Sequence, residues 1–222
     1  MANTLNKNDF IEVEYTGTLK DEGIIFDTTD EKIAKESGLD TKQVKYGPVK
    51  ICIGQGQIIK GIDQQLEGKE VGKEYNIDVL PENAFGKKDA QLVQLIATSK
   101  FKKANIQPQP GLQVNIDDQI GIIKTVSGGR TLVDFNHPLS GKEVSYKIKI
   151  LNKIDDKIKH VEILLNAMLQ IEQTKAKITD NIAEAELPME LPKDVQEVLK
   201  KKVLEVTGLK DLIFKKTETQ KN

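Results

Sequence analysis

Residues 53–72 read IGQGQIIKGIDQQLEGKEVG, and this stretch decides the fold. A strand-like run, Val49 to Gly54, leads into it. Ile59 to Leu66 spans two helical turns, and Gly68 closes them. Gly54-Gln55-Gly56 lacks the third glycine and the basic residue of a phosphate cradle, so nucleotide binding is not expected.

Working outward, Asp9 to Tyr15 alternates polar and apolar residues, the period-2 mark of a half-buried strand, and Thr16 to Leu19 continues it. Lys20 to Gly23 is a turn before Ile24-Ile25-Phe26-Asp27, and Asp30 to Gly38 reads as a short capped helix. Glu74 to Val79 alternates again and stops at Pro81. Beyond Lys87 come the turn cluster 108–111, the strand-like LQVNID and IGIIKTV, a hairpin turn at Ser127-Gly128-Gly129-Arg130, and TLVDF. Glu143 to Ile150 is one more strand. After Asp155-Asp156 an amphipathic helix runs from 157 to about 172, and KAKITD and IAEAEL form a hairpin at Asp180-Asn181. A second helix follows Pro192 up to Gly208, and LKDLIFKKTET ends as a strand. The fold class is α+β.

Composition narrows the function. Lys and Arg number 33 against 34 Asp and Glu, a formal charge of −1 that offers no basic face for nucleic acid. No run approaches the ~20 apolar residues of a spanning helix, and MANTLNKNDFIEVEYTG has no leader-like apolar core. A single cysteine, Cys52, makes no internal disulfide and fits a reducing cytoplasm. It alternates with Ile51 and Ile53 and reads as a buried apolar residue. With two histidines, His137 and His160, and no ligand spacing around either, neither a metal site nor a cofactor is expected. His160 reads as a surface residue. Nine of the ten Phe and Tyr residues fall at or before Tyr146, which divides an aromatic part from an aromatic-poor end.

Five motifs stand in order: VEYTGTL, IIFDTT, IGQGQIIKGIDQQLEGKEVG, PENAFG and the strand around Tyr146. In that order they resemble the FK506-binding-protein (FKBP) type of peptidyl-prolyl cis–trans isomerase. The long segment between PENAFG and the last strand resembles the insert-in-the-flap chaperone domain of SlyD-type members. The end of the chain resembles the extra domain of long archaeal-type members. The resemblance implies a discontinuous isomerase domain at 1–86 and 136–153, an antiparallel β half-barrel wrapped on a short helix. A small, mostly-β inserted domain occupies 87–135, and an α+β domain follows at 154–222.

By the same resemblance Tyr15, Asp27, Ile59 and Tyr146 carry catalysis, and Phe26, Ile58, Ile62, Phe85, His137 and Leu139 bind substrate. Ile59 would offer its backbone N–H to a substrate carbonyl, and Ile62 would floor the proline site. Without the motifs, Tyr15, Ile58 and Tyr146 are ordinary core residues, and His137 is a turn residue before Pro138. Many relatives have Trp at Ile62 and Tyr at Phe85, so FK506-like macrolides would bind weakly. SlyD's nickel-binding tail is rich in His and Cys; KKTETQKN has neither, so no metal is carried over.

An isomerase of this kind needs no nucleophile. The amide barrier is about 18–20 kcal/mol, X–Pro isomers differ by only about 0.5–1 kcal/mol, and a dry apolar site favours the less polar twisted form. The implied partners are unfolded polypeptides with X–Pro bonds, held by apolar residues of the insert, with no nucleic acid and no membrane. Two other readings stand: a holdase with a vestigial pocket, and an interaction module that forms a homodimer through the C-terminal domain.

Overall fold

Alternation in the first segment becomes strand β1 (Phe10–Leu19), whose side chains divide between a buried and a solvent face. The computed structural model describes residues 4–39, 44–172 and 174–217. Strands β2 (Ile25–Thr28), β3 (Val49–Cys52) and β4 (Glu74–Val79) follow, with helix α1 (Glu31–Glu36) after β2 and helix α2 (Lys60–Leu66) after β3. Asp30 caps α1 by accepting from the Lys32 and Ile33 N–H groups. The sheet is completed much later by the strand Val144–Ile154, which pairs antiparallel with both β1 and β4. A bulge between Glu12 and Val13 shifts its register on β1. Ile77, Val79, Tyr146, Ile148, Ile62 and Leu66 are all buried, and α2 packs against β4. The sheet's opposite face carries the ion pairs Lys147–Glu74 (3.0 Å) and Lys20–Asp78 (2.9 Å).

The chain forms two compact units, Met1–Val79 with Val144–Asn222, and Leu80–Glu143. The second unit holds strands β5 (Val93–Ala97), β6 (Gln113–Ile116), β7 (Gln119–Ser127) and β8 (Arg130–Asp134), in the order β5-β8-β7-β6, with helix α3 (Thr98–Lys103) after β5. The hairpin at Ser127–Arg130 forms as read, with Gly128 and Gly129 both at positive φ. β5 and α3 were not legible as elements. β5 is a five-residue edge strand with no buried residue, and α3 is too short to show a period, burying only Phe101. Phe101, Val114, Ile123 and Val133 make this unit's core. Asn136 stitches its two ends, accepting from the Asp89 N–H at 2.8 Å and donating to the Asp89 carbonyl at 2.9 Å.

In the first unit, the strand Val144–Ile154 (β9) is followed by helix α4 (Lys157–Leu169), strands β10 (Lys175–Thr179) and β11 (Ile182–Leu187), helix α5 (Lys193–Thr207) and strand β12 (Asp211–Lys216). Asp156 caps α4, and Gly208 ends α5 in the left-handed region. β10 and β11 form the expected hairpin at Asp180-Asn181, and β12 joins β11 in parallel after the α5 crossover. The expected extension of the last strand to Thr219 falls partly on residues outside those described. The core here includes Leu164, Leu165, Leu187, Leu199 and Val203, and also Phe10 and Cys52, directly paired across β1 and β3. His160 is not a free surface residue. Its ring stacks on Phe10, and its Nε2 donates to the Ile154 carbonyl at 2.6 Å. No helix among the described residues is long and apolar enough to cross a membrane.

Candidate functional site

Tyr15 and Gly17 occupy β1 positions that alternate onto the same face, Phe26 and Asp27 lie on β2, and Tyr146 faces Gly17 directly across β9. These five positions converge. The Phe26 ring stands edge-on to Tyr146, with centroids 5.7 Å apart and planes at 82°. Tyr15 is tilted at 55° to Tyr146 at the same distance. Gly17 is what allows the approach, because a Cβ there would lie 2.9 Å from Phe26 Cζ and from two Tyr146 ring atoms.

One carboxylate enters this aromatic cluster. Asp27 accepts hydrogen bonds from the Tyr15 side chain and the Thr28 backbone N–H. Burial nevertheless holds its carboxyl above the ordinary value, outweighing those two bonds, which act the other way. Burial, reinforced by the nearby Asp27 charge, also pushes both the Tyr15 and Tyr146 hydroxyls well above the usual phenol range. Both therefore remain neutral hydroxyls at any working pH.

Below the cluster, threonines fix β2 to β1. Thr29 Oγ1 accepts from the Tyr15 N–H at 2.9 Å, and the Thr16 and Thr28 hydroxyls meet at 2.8 Å. Gly17, Thr28 and Thr29 stand within the motifs VEYTGTL and IIFDTT, but their part as supports is visible only in the pairing of β1 with β2 and β9.

The remaining candidates come from two places. Ile58 and Ile59 lie half-buried in the loop before α2, with Ile59 as its N-cap, and Ile62 within α2 is fully buried. The Ile59 carbonyl accepts from the Ile62 N–H at 3.0 Å and the Asp63 N–H at 3.1 Å. Phe85, His137 and Leu139 belong to the other compact unit. There Phe85 and His137 stack with centroids 5.0 Å apart and planes at 2°, and the Leu139 N–H donates to His137 Nδ1 at 3.2 Å. The structure thus gathers Tyr15, Phe26, Asp27 and Tyr146 in one cluster and Phe85, His137 and Leu139 in another.

A surface cleft of about 250 Å³ lies beside Tyr15 and is otherwise largely polar, lined by Glu14, Thr16, Asp30, Glu74, Lys147 and Lys149. No group of three or more His, Cys, Asp or Glu among the described residues is placed to hold a metal ion.

Comparison with known proteins bears on this geometry. A family model described as FKBP-type peptidyl-prolyl cis-trans isomerase matches residues 2–102, and one described as FKBP26, IF domain, matches 94–139. A short-type peptidyl-prolyl cis-trans isomerase of Methanocaldococcus jannaschii is 33% identical over 150 residues, covering 68% of this chain and 94% of that protein. A probable FKBP-type 16 kDa isomerase of Pseudomonas fluorescens is 33% identical over 110 residues, 47% of this chain and 72% of its own. SlyD of Vibrio cholerae is 25% identical over 166 residues, covering 72% of this chain and 75% of that protein.

Proposed function

Because this chain belongs to the FKBP-type peptidyl-prolyl cis–trans isomerases, we propose that the cluster of Tyr15, Phe26, Asp27 and Tyr146, with Ile58, Ile59 and Ile62, is its prolyl site. The observation that carries this reading is a half-buried carboxylate set among three aromatic rings. Phe26, Ile62 and Tyr146 would hold the proline ring, and Phe85, His137 and Leu139 of the other unit would also bind substrate. The Ile59 N–H would donate to a substrate carbonyl.

Chemistry then follows from polarity. A planar amide separates charge more than a twisted one, so an environment poor in water raises the ground state relative to the transition state. Asp27, fixed by Tyr15 and Thr28, adds a charge beside the rotating bond without reorganising during rotation. Each 1.4 kcal/mol gained this way is about tenfold in rate.

The test is a proline tetrapeptide assay on the full chain. Asp27→Ala and Tyr146→Ala are each expected to lower kcat/KM by roughly tenfold or more. Wild-type activity no higher than the uncatalysed rate would favour the holdase reading.

The same proposal includes client holding by the unit 80–143. Val114, Ile123 and Val133 face α3, so Leu95, Leu132, Ile122 and Ile120 alternate onto the other face of the sheet. Leu95 is 62% exposed and Ile120 60%, which leaves an apolar surface suited to extended client chains. Leu95→Ser with Ile120→Ser should leave tetrapeptide turnover unchanged and slow the catalysed refolding of a proline-limited protein several-fold. Equal refolding rates would overturn this part.

The three-part division at 86, 136 and 153 belongs to this reading, as does a cytoplasmic setting, which the single buried Cys52 fits. So do weak macrolide binding at an isoleucine floor and self-association through residues 154–222, which light scattering on the full chain would measure.

A further inference from the structure

The loop from Gly54 to Ile59 has no regular structure, yet the substrate reading depends on where its backbone lies. Gly54 and Gly56 both sit at positive φ, +80° and +67°, a region glycine enters as freely as any other. Gln57 Oε1 accepts the Cys52 N–H at 2.7 Å and Gln55 donates to Asn8 Oδ1 at 2.7 Å. Neither bond holds the N–H groups of the two glycines, whose shape is set from α2.

Asp63 selects it. This residue lies in the first turn of α2 and is 8% exposed. Its carboxylate turns back onto the loop: Oδ1 accepts the Gly54 N–H at 2.7 Å and Oδ2 accepts the Gly56 N–H at 2.9 Å. Its own backbone N–H reaches the Ile59 carbonyl at 3.1 Å. One residue thus anchors the loop near its start, at its middle and at its end. A carboxylate is the side chain suited to this, since it only accepts, and it offers one oxygen to each donor. Bonds to an ionised acceptor are also the stronger kind.

We propose that Asp63 is a positioning residue for the isomerase: it clamps the loop so that the Ile58 side chain and the Ile59 N–H are set before substrate arrives. The proposal rests on the reading that Ile58 and Ile59 bind substrate. Ordering the loop in advance removes that cost from binding. Burial of Ile62 and Leu66 anchors α2 independently of the carboxylate.

The experiment uses the full chain, with the proline tetrapeptide as ligand. Asp63→Asn keeps the size and leaves one acceptor oxygen in place of two. It should lower kcat/KM by roughly tenfold, mostly through KM. The Gly54 and Gly56 amide proton resonances should move upfield and exchange faster, while amides of β1 and β9 stay in place. Asp63→Glu, which retains the acceptor pair, should restore part of the loss. Activity within twofold of wild type with both amides released would overturn the proposal, and so would lost activity with both amides unmoved. If Asp63→Asn does not fold, Gly56→Ala decides: its Cβ would meet no atom within 4 Å, so it disturbs only the loop backbone. A raised KM supports the clamp, and an unchanged KM overturns it. Titrating the tetrapeptide into wild type separates the two readings. Unmoved Ile58 and Ile59 amides defeat the substrate site and the clamp together, whereas moved amides with an unchanged KM in the variants defeat the clamp alone.

Discussion

Phe10 on β1 and His160 on α4 stack with ring centroids 3.8 Å apart and planes 7° from parallel. This contact lies over the Phe10–Cys52 cross-strand pair and closes the core shared by β1, β3 and the C-terminal helices. The segment after β9 is therefore packed into the isomerase sheet through specific side chains. An aromatic pair contributes about 0.5–1.5 kcal/mol beyond area burial, and the bond to the Ile154 carbonyl about 1 more.

Cys52 reports on that packing. Burial pushes its thiol up to about 12, so little reactive thiolate forms at neutral pH. The folded chain should react very slowly with a disulfide reagent. His160→Ala should make local opening, and hence labelling, about tenfold faster. A labelling rate unchanged by that substitution would show that the stack does not hold the core closed.

Gly17→Ala should damage the site more than the fold. The new methyl would press on Phe26 and Tyr146 together, at 2.9 Å each. Overpacking of this kind costs about 1–3 kcal/mol. We expect urea denaturation to show a loss in that range and the tetrapeptide assay to show kcat/KM down at least tenfold. Wild-type turnover in this variant would mean that the ring arrangement is not the prolyl site.

The Asp27 carboxyl gives an acid limb. Its folded value is raised above the ordinary 3.8, mainly by burial. An acid raised on folding binds its proton more tightly in the native state. Its stabilising contribution is thus complete below the unfolded value and is lost as pH rises through the folded one. On the proposed site, activity should run the other way, because the ionised form would sit beside the rotating amide. We expect kcat/KM to fall on acidification with a midpoint above 3.8, and Asp27→Asn to be both slower and flat over that range. The same midpoint in wild type and variant would exclude Asp27 as the titrating group.

Asp134 acts with the opposite sign. It accepts from the Asn136 N–H at 3.0 Å and from Asn136 Nδ2 at 2.8 Å, with Lys88 and Lys124 nearby. Burial alone would raise its carboxyl, but these partners together hold it below the ordinary value. Its stabilising contribution is present above the unfolded value and lost as pH falls through the folded one. Asp134→Ala should destabilise the unit 80–143 by about 2–3 kcal/mol at neutral pH. The difference should shrink in acid, as read by hydrogen exchange of the β7 and β8 amides. A pH-independent difference would assign the effect to packing.

Legibility in the sequence followed local rules. The alternation of β1, the capped α1, the hairpins at Ser127–Arg130 and Asp180-Asn181, and both long helices obey short-range periodicity and turn chemistry. Tyr15, Phe26, Asp27 and Tyr146 were legible as candidates because they sit in motifs. Their convergence needed the β1–β9 register, a pairing across more than 120 positions. Asp63 had no such signal, since an aspartate in a helical first turn is common and its hold on Gly54 and Gly56 exists only in three dimensions. His160 falls between the apolar positions of α4, which is why its stack on Phe10 could not be read from periodicity.

Strand order carries a consequence for synthesis. The unit 80–143 is a single continuous stretch, whereas β1 waits for β9, encoded after it. With chains made from the N-terminus at about 5–20 residues per second and units folding as they emerge, the apolar sheet face of Leu95 and Ile120 is complete on the ribosome while the aromatic cluster still lacks Tyr146. During its own synthesis the protein presents the apolar sheet face of the unit 80–143 before the rings of Tyr15 and Phe26 have their partner, which arrives only when residues 144–154 leave the exit tunnel.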